Sequence, residues 1–341
     1  MRRRGRADGN VRITIAEVAA LAAVSTATAS RALNRPGAVS ASLRDRVAAA
    51  VARLGYVPNQ TARALSSLHS GLVGFLIPAV NAGYAELLEV MVARLRAAGY
   101  ATLVAAPGGD GDPGGGGARA MAAREVEGLV VVGTEPGATM GALLNERRIP
   151  YVLVDAGGHT SLALRVDVSY AVAGENAARY LVGLGHRSLA FLSSPTTSPW
   201  RRDLLLQGLR AGLAASDLTL PSERIRACAA PEIRTALRLW FTGAAPPSAL
   251  VCADDLLALV TLREGALLGI AVPGQLSIIG CGDLPFARYA SPALSTLRIP
   301  SVTVGNAAVD QLLVRLAGGS PCGQLIPVKL VIRRSTGPAP I

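Results

Sequence analysis

From about residue 70 to residue 335 two kinds of segment alternate along the chain. Short apolar runs (GLVGFLIPAV, YATLVAA, GLVVVG, PYVLVD, SLAFLSS, SALVCA and LSIIGCGD) are rich in Val, Leu and Ile. Helical patterns, such as those over 85–98, 171–184 and 204–215, separate them. A strand that is apolar along its whole length needs cover on both faces, and intervening helices supply it. The alternation therefore predicts an α/β core of parallel, doubly wound sheets, and its length suits two such subdomains. Half the residues are apolar and 4% are aromatic, so the interior is expected to be built from Ala, Val and Leu.

The first sixty-five residues have a different character. They hold eleven arginines against three acids, +8 of the chain's net +11. A concentrated basic segment is the footprint of a polyanionic partner. Residues 1–12 read as a basic, disordered tail. Thr14-Ile-Ala-Glu17 then reads as a capping box, with Ile15, Val18, Ala19 and Ala22 at helical spacing. Ala23-Val24 is the expected turn, and Ser25 the cap of a second helix over 26–33 with Asn34 at its end. Two helices this short, so tightly joined, match a helix-turn-helix. A third helix is expected from Ser40 or Ser42, with Leu43, Val47, Ala50, Val51 and Leu54 as its buried stripe and Gly55 as its stop.

The stretch TIAEVAALAAVSTATASRALNRPGAVSASLRDRVAAAVARLGYVPNQTARAL resembles the DNA-binding headpiece of the lactose-repressor (LacI/GalR) family of bacterial transcription regulators. The motifs are T-I-x-x-V-A, V-S-x-x-T-x-S-R-x-L-N, L-G-Y-x-P-N and A-R-x-L, and a looser likeness runs to about residue 335. The resemblance implies a headpiece over 13–57, a hinge helix and linker over 58–69, and a core over 70–336. It makes Thr26, Ala27 and Arg31 base readers. Small side chains let a helix lie deep in the major groove, and the Arg31 fork can reach guanine. Ala27 offers only an apolar contact. Thr28 and Ser30 suit packing or a phosphate contact as well as a base contact. Thr14, Ser25 and Asn34 complete the candidate contacts on this unit. In the hinge, Asn59, Ala62, Arg63 and Leu65 are candidates, with Leu65 as the minor-groove wedge.

For the core the resemblance implies a fold like that of periplasmic sugar-binding proteins. Subdomain one takes about 70–167 plus 298–325. Subdomain two takes about 168–297 plus the last strand, 326–336. The effector cleft between them lies at the carboxyl ends of the strands. Tyr84, Asp155, Arg202, Asp254 and Asp283 are the candidate effector-binding residues. This chain departs from the family pattern at Val168, where an amide is lost, at Leu205, in place of an arginine, and at Gly282, in place of a carboxylate. Fewer sugar-binding groups leave a carbohydrate-like effector as an expectation from the family alone.

Other functions find less support. The basic start, MRRRGRADG, leads into no apolar run, so it does not read as a secretory signal, and no long apolar stretch suggests a membrane helix. This argues for a cytoplasmic protein, and against a solute-binding receptor built on the same core. The four cysteines, Cys228, Cys252, Cys281 and Cys322, lack metal-ligand spacing and are expected to be reduced. The three histidines form no nucleophile or metal pattern, so neither enzyme activity nor a cofactor is expected. PGGDGDPGGGG (107–117) reads as a surface loop rather than a phosphate cradle, because no Gly-Lys-Ser/Thr follows it. Residues 337–341 are expected to be a disordered tail. The leading expectation is a homodimeric repressor on pseudo-palindromic operator DNA, controlled by a small molecule.

Overall fold

In this computed structural model, residues 13–34, 36–57, 69–78, 82–106, 115–157 and 165–340 are described. They divide into two compact units, up to Ser70 and from Gly71 onward.

The first unit is three helices, α1 (Ile15–Leu21), α2 (Thr26–Asn34) and α3 (Ala41–Leu54). Val18, Ala22, Ala32, Val47 and Ala50 are buried at their centre, with Leu43, Val51 and Leu54 packed around them. Each helix starts where the sequence offers a polar cap. The α1 box is closed mainly by Glu17, whose Oε2 accepts from the Thr14 backbone N–H at 2.6 Å and from the Thr14 hydroxyl at 3.0 Å. These bonds hold the Glu17 carboxyl below its ordinary pKa, the backbone bond contributing most. The Ser25 hydroxyl accepts from the Thr28 N–H at 3.1 Å. Ser40, not Ser42, is the N-cap residue of α3, and Gly55 ends that helix in the left-handed region at φ 62°.

The second unit carries two six-stranded sheets. The first contains β1 (Leu72–Leu76), β2 (Ala101–Ala105), β3 (Gly128–Val132), β4 (Tyr151–Val154) and β5 (Arg165–Val168), in the order β5-β4-β3-β1-β2, with β11 (Gln324–Ile326) outside β5. The second contains β6 (Leu189–Ser193), β7 (Ile225–Ala227), β8 (Ala249–Cys252), β9 (Ser277–Gly282) and β10 (Ser295–Arg298), ordered β10-β9-β8-β6-β7, with β12 (Lys329–Val331) outside β10. All pairs are parallel except β10 with β12. Both sheets reverse their strand order at one point, between β1 and β3 and between β6 and β8. Such a reversal opens a crevice at the carboxyl ends of the strands.

Helices α4 (Ala82–Ala97), α5 (Gly115–Ala122), α6 (Ala138–Glu146) and α11 (Ser301–Leu316) cover the first sheet. The second is covered by α7 (Tyr170–Gly183), α8 (Pro199–Ala214), α9 (Ile233–Phe241) and α10 (Asp255–Leu267). The period of two decides which helix each strand residue meets: Val73 and Phe75 join the cluster holding Leu87 and Met91 of α4, whereas Leu76 joins that of Met121 and Met140. Helices α7 and α8 pack backbone to backbone through Gly174, Gly208 and Gly212. A Cβ on Gly208 would overlap the Ala171 carbonyl, and one on Gly212 would stand 2.7 Å from the Glu175 oxygen.

The chain passes between sheets after β5, after β10 and between β11 and β12. Ile326, expected in the last strand of the second subdomain, ends β11 of the first sheet instead. The expected loose tail is a correction. Ser335 is buried, donating from Oγ to the Ile278 carbonyl at 2.6 Å. The Gly337 N–H donates to Ser277 Oγ at 3.1 Å, and the Ala339 N–H to the Leu184 carbonyl at 2.9 Å. Hydrogen bonds from the Ser335 hydroxyl and from the Gly337 and Ala339 N–H groups hold the tail on the core. His186 anchors the same corner: its ring nitrogens lie 2.9 Å from Ser248 Oγ and 3.0 Å from Ser277 Oγ, and burial lowers its pKa.

Among the described residues no cysteine is disulfide-bonded and no helix is long and apolar enough to cross a membrane.

Candidate DNA interface and effector cleft

On the first unit, the polar and apolar residues of α2 lie on opposite faces. Ala29 and Ala32 are buried against α1 and α3, while Ser25, Thr26, Ala27, Arg31 and Asn34 are exposed. Thr14, at the start of α1, is exposed too. The Thr28 hydroxyl is shared with Ser25 at 2.8 Å, and Ser30 Oγ accepts from the Asn34 amide at 3.2 Å. Both of these hydroxyls therefore stiffen the helix, and Thr26, Ala27 and Arg31 are left with side chains free of such bonds. Asn59, Ala62, Arg63 and Leu65, and the hinge helix expected there, lie outside the described residues.

One arginine of the basic segment has an internal task. Arg46 on α3 donates from Nη2 to the Ala22 carbonyl at 2.5 Å and to the Ala23 carbonyl at 2.9 Å, with Nε also on Ala22 at 3.2 Å. Ala22 and Ala23 form the turn between α1 and α2, and Ala23 holds a left-handed φ of 51°. The guanidinium staples that turn and fixes the angle at which α2 leaves it. Arg46 is one of the eleven arginines that make this segment basic, so the net charge alone does not tell which of them face outward.

In the second unit a cleft of ≈ 1430 Å³ opens at the carboxyl ends of both sheets. Strand tips supply Pro78, Thr134 and Asp155 on one side and Ser194, Asp254 and Asp283 on the other, with Tyr84 from α4. The Asp155 carboxyl is 6% exposed, and its Oδ2 accepts from the Tyr170 hydroxyl at 3.0 Å. Burial pushes its pKa up to about 6, against the lowering effect of Arg201 and the Tyr170 bond. Burial, with the Asp155 charge, pushes the Tyr84 hydroxyl up to about 12.

Arg202, the expected cleft arginine, is not there. It pairs with its neighbour Asp203 at 2.9 Å, away from the cleft lining. Arg201 is the one that enters: its Nη2 donates to the Ala253 carbonyl at 3.1 Å and to Cys281 Sγ at 3.4 Å, and its guanidinium carbon lies 4.9 Å from the Tyr170 ring centre. The reason is helical phase. Arg201 stands four residues before Leu205, which is fully buried, so both share the inward face of α8. That spacing could have picked Arg201 from the sequence. Its neighbour Trp200 tilts against Tyr170 with ring centres 5.6 Å apart, and covers Gly157, where a Cβ would overlap the indole.

The two remaining acids differ in what they have left to offer. Asp254 caps α10, accepting from the Leu257 N–H at 2.7 Å through one oxygen. Asp283 has both oxygens engaged, by Arg298 Nε at 2.5 Å and Arg333 Nη2 at 2.6 Å. Asp255, next to the expected ligand, is buried and ties the cleft loops together by accepting from the Thr296 hydroxyl and the Leu284 N–H. The hydroxyl turn Ser194-Thr196-Thr197, a cleft wall not foreseen, follows directly from the run SSPTTS after β6.

The model of bacterial regulatory proteins of the lacI family matches residues 14–59, and the periplasmic binding protein-like domain matches residues 178–336. The HTH-type transcriptional repressor PurR of Klebsiella pneumoniae (strain 342) is 30% identical over 342 residues, covering 96% of this chain and 98% of its own. The protein of the same name from Yersinia enterocolitica is 31% identical over 342 residues, with the same coverage. The chain belongs to the LacI family of bacterial regulatory proteins. Among solved structures, the lac repressor dimer bound to operator and the anti-inducer ONPF is similar at a TM-score of 0.83 and 26% identity, over 95% of this chain and 99% of that one. This LacI-family chain is accordingly a DNA-binding transcriptional repressor controlled by an effector in its core, and not an enzyme.

Proposed function

We propose that Thr26, Ala27 and Arg31 read base edges in the major groove of a pseudo-palindromic operator, with a second copy of the chain on the other half-site. The carrying observation is the exposed, lightly charged face of α2, backed by buried Ala29 and Ala32. Thr14, Ser25 and Asn34 border this face and take phosphates. Arg63 and Leu65 of the linker, with Asn59 and Ala62, engage the minor groove at the centre of the site.

The effector occupies the cleft of the core, against Tyr84, Asp155, Arg201 and Asp254. It favours one arrangement of the two subdomains and so biases DNA affinity. The spacing between half-sites then follows from the dimer's two-fold symmetry.

Footprinting of the full chain on DNA flanking its own gene tests the reading. A protected, two-fold symmetric site whose occupancy falls steeply with salt is expected. Equal protection of every sequence would overturn it.

A further inference from the structure

We propose that the cleft takes an apolar amine: a small cation with an aromatic or aliphatic body and at least one hydrogen-bond acceptor. The assignment rests on the reading of the cleft as the control site.

The first argument is charge. Glu86, Glu89, Asp155, Asp254 and Asp283 line the cleft against Arg201 and Arg288, in a chain of net charge +11. Asp283 is neutralised by Arg298 and Arg333, and Asp155 faces Arg201. Among the described residues no cation forms an ion pair with Glu86, Glu89 or Asp254. Against these three carboxylates stands Arg288, so the lining keeps an excess of negative charge, and such an excess between low-dielectric walls concentrates ligands of the other sign.

The second argument is independent of the rim. Two polar atoms of residues that line the cleft are buried with no partner: Asp155 Oδ1 and Arg201 Nε. Such atoms are costly when unpaired, and a ligand in the cleft would complete their bonding. The carboxylate oxygen calls for a donor, which an ammonium supplies as a charge-assisted bond. The guanidinium N–H calls for an acceptor.

The third argument is the wall. Leu257, Val260, Phe286 and Ile299 offer no hydrogen bonds, so a polyol would strand hydroxyls against them. The Tyr84 and Phe286 rings suit a cation or an apolar body. An anion would meet the three carboxylates that no cation pairs.

Tyramine, tyrosol and hydroxyphenylpropanoate share a ring and a hydroxyl and end in a cation, a neutral group and an anion. Calorimetry on the full chain at neutral pH and low salt should find tyramine binding at least ~10-fold more tightly than tyrosol, with the anion weakest. Glu86→Gln with Glu89→Gln, both at exposed positions, should cut that advantage several-fold, and Asp155→Asn should cut it further. The proposal is overturned if tyrosol or the anion binds as well as tyramine. It is equally overturned if none binds, or if the advantage survives all three substitutions. Operator affinity, measured with the same ligands, separates the two readings. Tyramine binding that leaves operator affinity unchanged keeps the charge assignment and removes the control role. A neutral sugar that shifts operator affinity where tyramine does not bind keeps the control role and removes the charge assignment.

Discussion

The two units of this repressor present their functional groups in opposite ways. On the three-helix unit the candidate readers lie within nine consecutive residues of α2, exposed and with ordinary helical backbone. In the core, the site is assembled from strand tips and helices spread from Pro78 to Val304, and Asp155 Oδ1 and Arg201 Nε are buried within it. Two of its acids, Asp155 and Asp283, hold left-handed φ angles of 49° and 58°. The difference follows from what each site must hold. A duplex is a large rigid surface that a preformed ridge can meet from outside. A small ligand must be enclosed, so its partners have to wait, unsatisfied, inside the fold.

The largest effect that should separate the units is a single methyl group. Gly208→Ala puts a Cβ into the Ala171 carbonyl, where backbone meets backbone and neither helix can yield cheaply. We expect a loss of roughly 3 kcal/mol or more from the core, as for other overpacked sites. Denaturant unfolding of the full chain, followed by a core-specific probe and by the α1–α3 signal, should show the core transition moving alone. A common shift of both would show that the units unfold together.

A smaller effect comes from the buried acid. The Asp155 pKa rises from 3.8 to about 6, so the folded protein holds this proton more tightly than the unfolded chain does. Its contribution to stability is complete below pH 3.8 and is lost as the pH rises through about 6. The loss is roughly 2–3 kcal/mol. Asp155→Asn should lack this slope, and the difference between the two stability profiles across that window isolates the residue. Parallel profiles would remove Asp155 from the account. On the three-helix unit Glu17 is shifted the other way.

This contrast also explains what could be read in advance. The headpiece is legible because helix caps, stripe and reading face all sit within the forty-two residues from Thr14 to Gly55. The long apolar strands β1, β3, β8 and β9 declared themselves by composition. Strands β5 and β10 did not: Arg165 to Val168 and Ser295 to Arg298 are short, and each includes charged or hydroxyl residues whose partners come from elsewhere in the chain. Arg165, for instance, brings Nη1 to 3.7 Å from Glu135 Oε1. In the cleft the residue types were visible but their directions were not. One step of helical phase separates Arg202, on Asp203, from Arg201, on the floor. Nothing in the sequence tells that both Asp283 oxygens are already taken.

Within the headpiece, Arg31→Ala should act on recognition and not on folding. Its side chain is exposed at the rim of α2, so stability should change by no more than about 0.5 kcal/mol. Discrimination should fall by ~1–3 kcal/mol at one base pair in each half-site. Selection of bound sequences from a random pool checks this, and an unchanged preference at every position would take Arg31 out of the readout.

The smallest predicted effect asks whether a basic residue on this unit necessarily touches DNA. Arg46 lies in the arginine-rich segment, yet its hydrogen bonds go to the Ala22 and Ala23 carbonyls. Arg46→Ala leaves those carbonyls to water and the left-handed Ala23 without its brace, a cost of ~1 kcal/mol at an exposed site. A staple and a phosphate contact predict different salt behaviour. Loss of a phosphate contact lowers the slope of log affinity against log salt by about one. Loss of the staple leaves the slope as it was and weakens specific binding, because α2 no longer leaves the turn at a fixed angle. Arg46→Lys cannot reproduce the fork over two carbonyls, so it should behave like the alanine variant although it keeps the charge. If lysine instead restores full affinity, charge rather than geometry is what Arg46 supplies, and the headpiece comes closer to a simple basic surface.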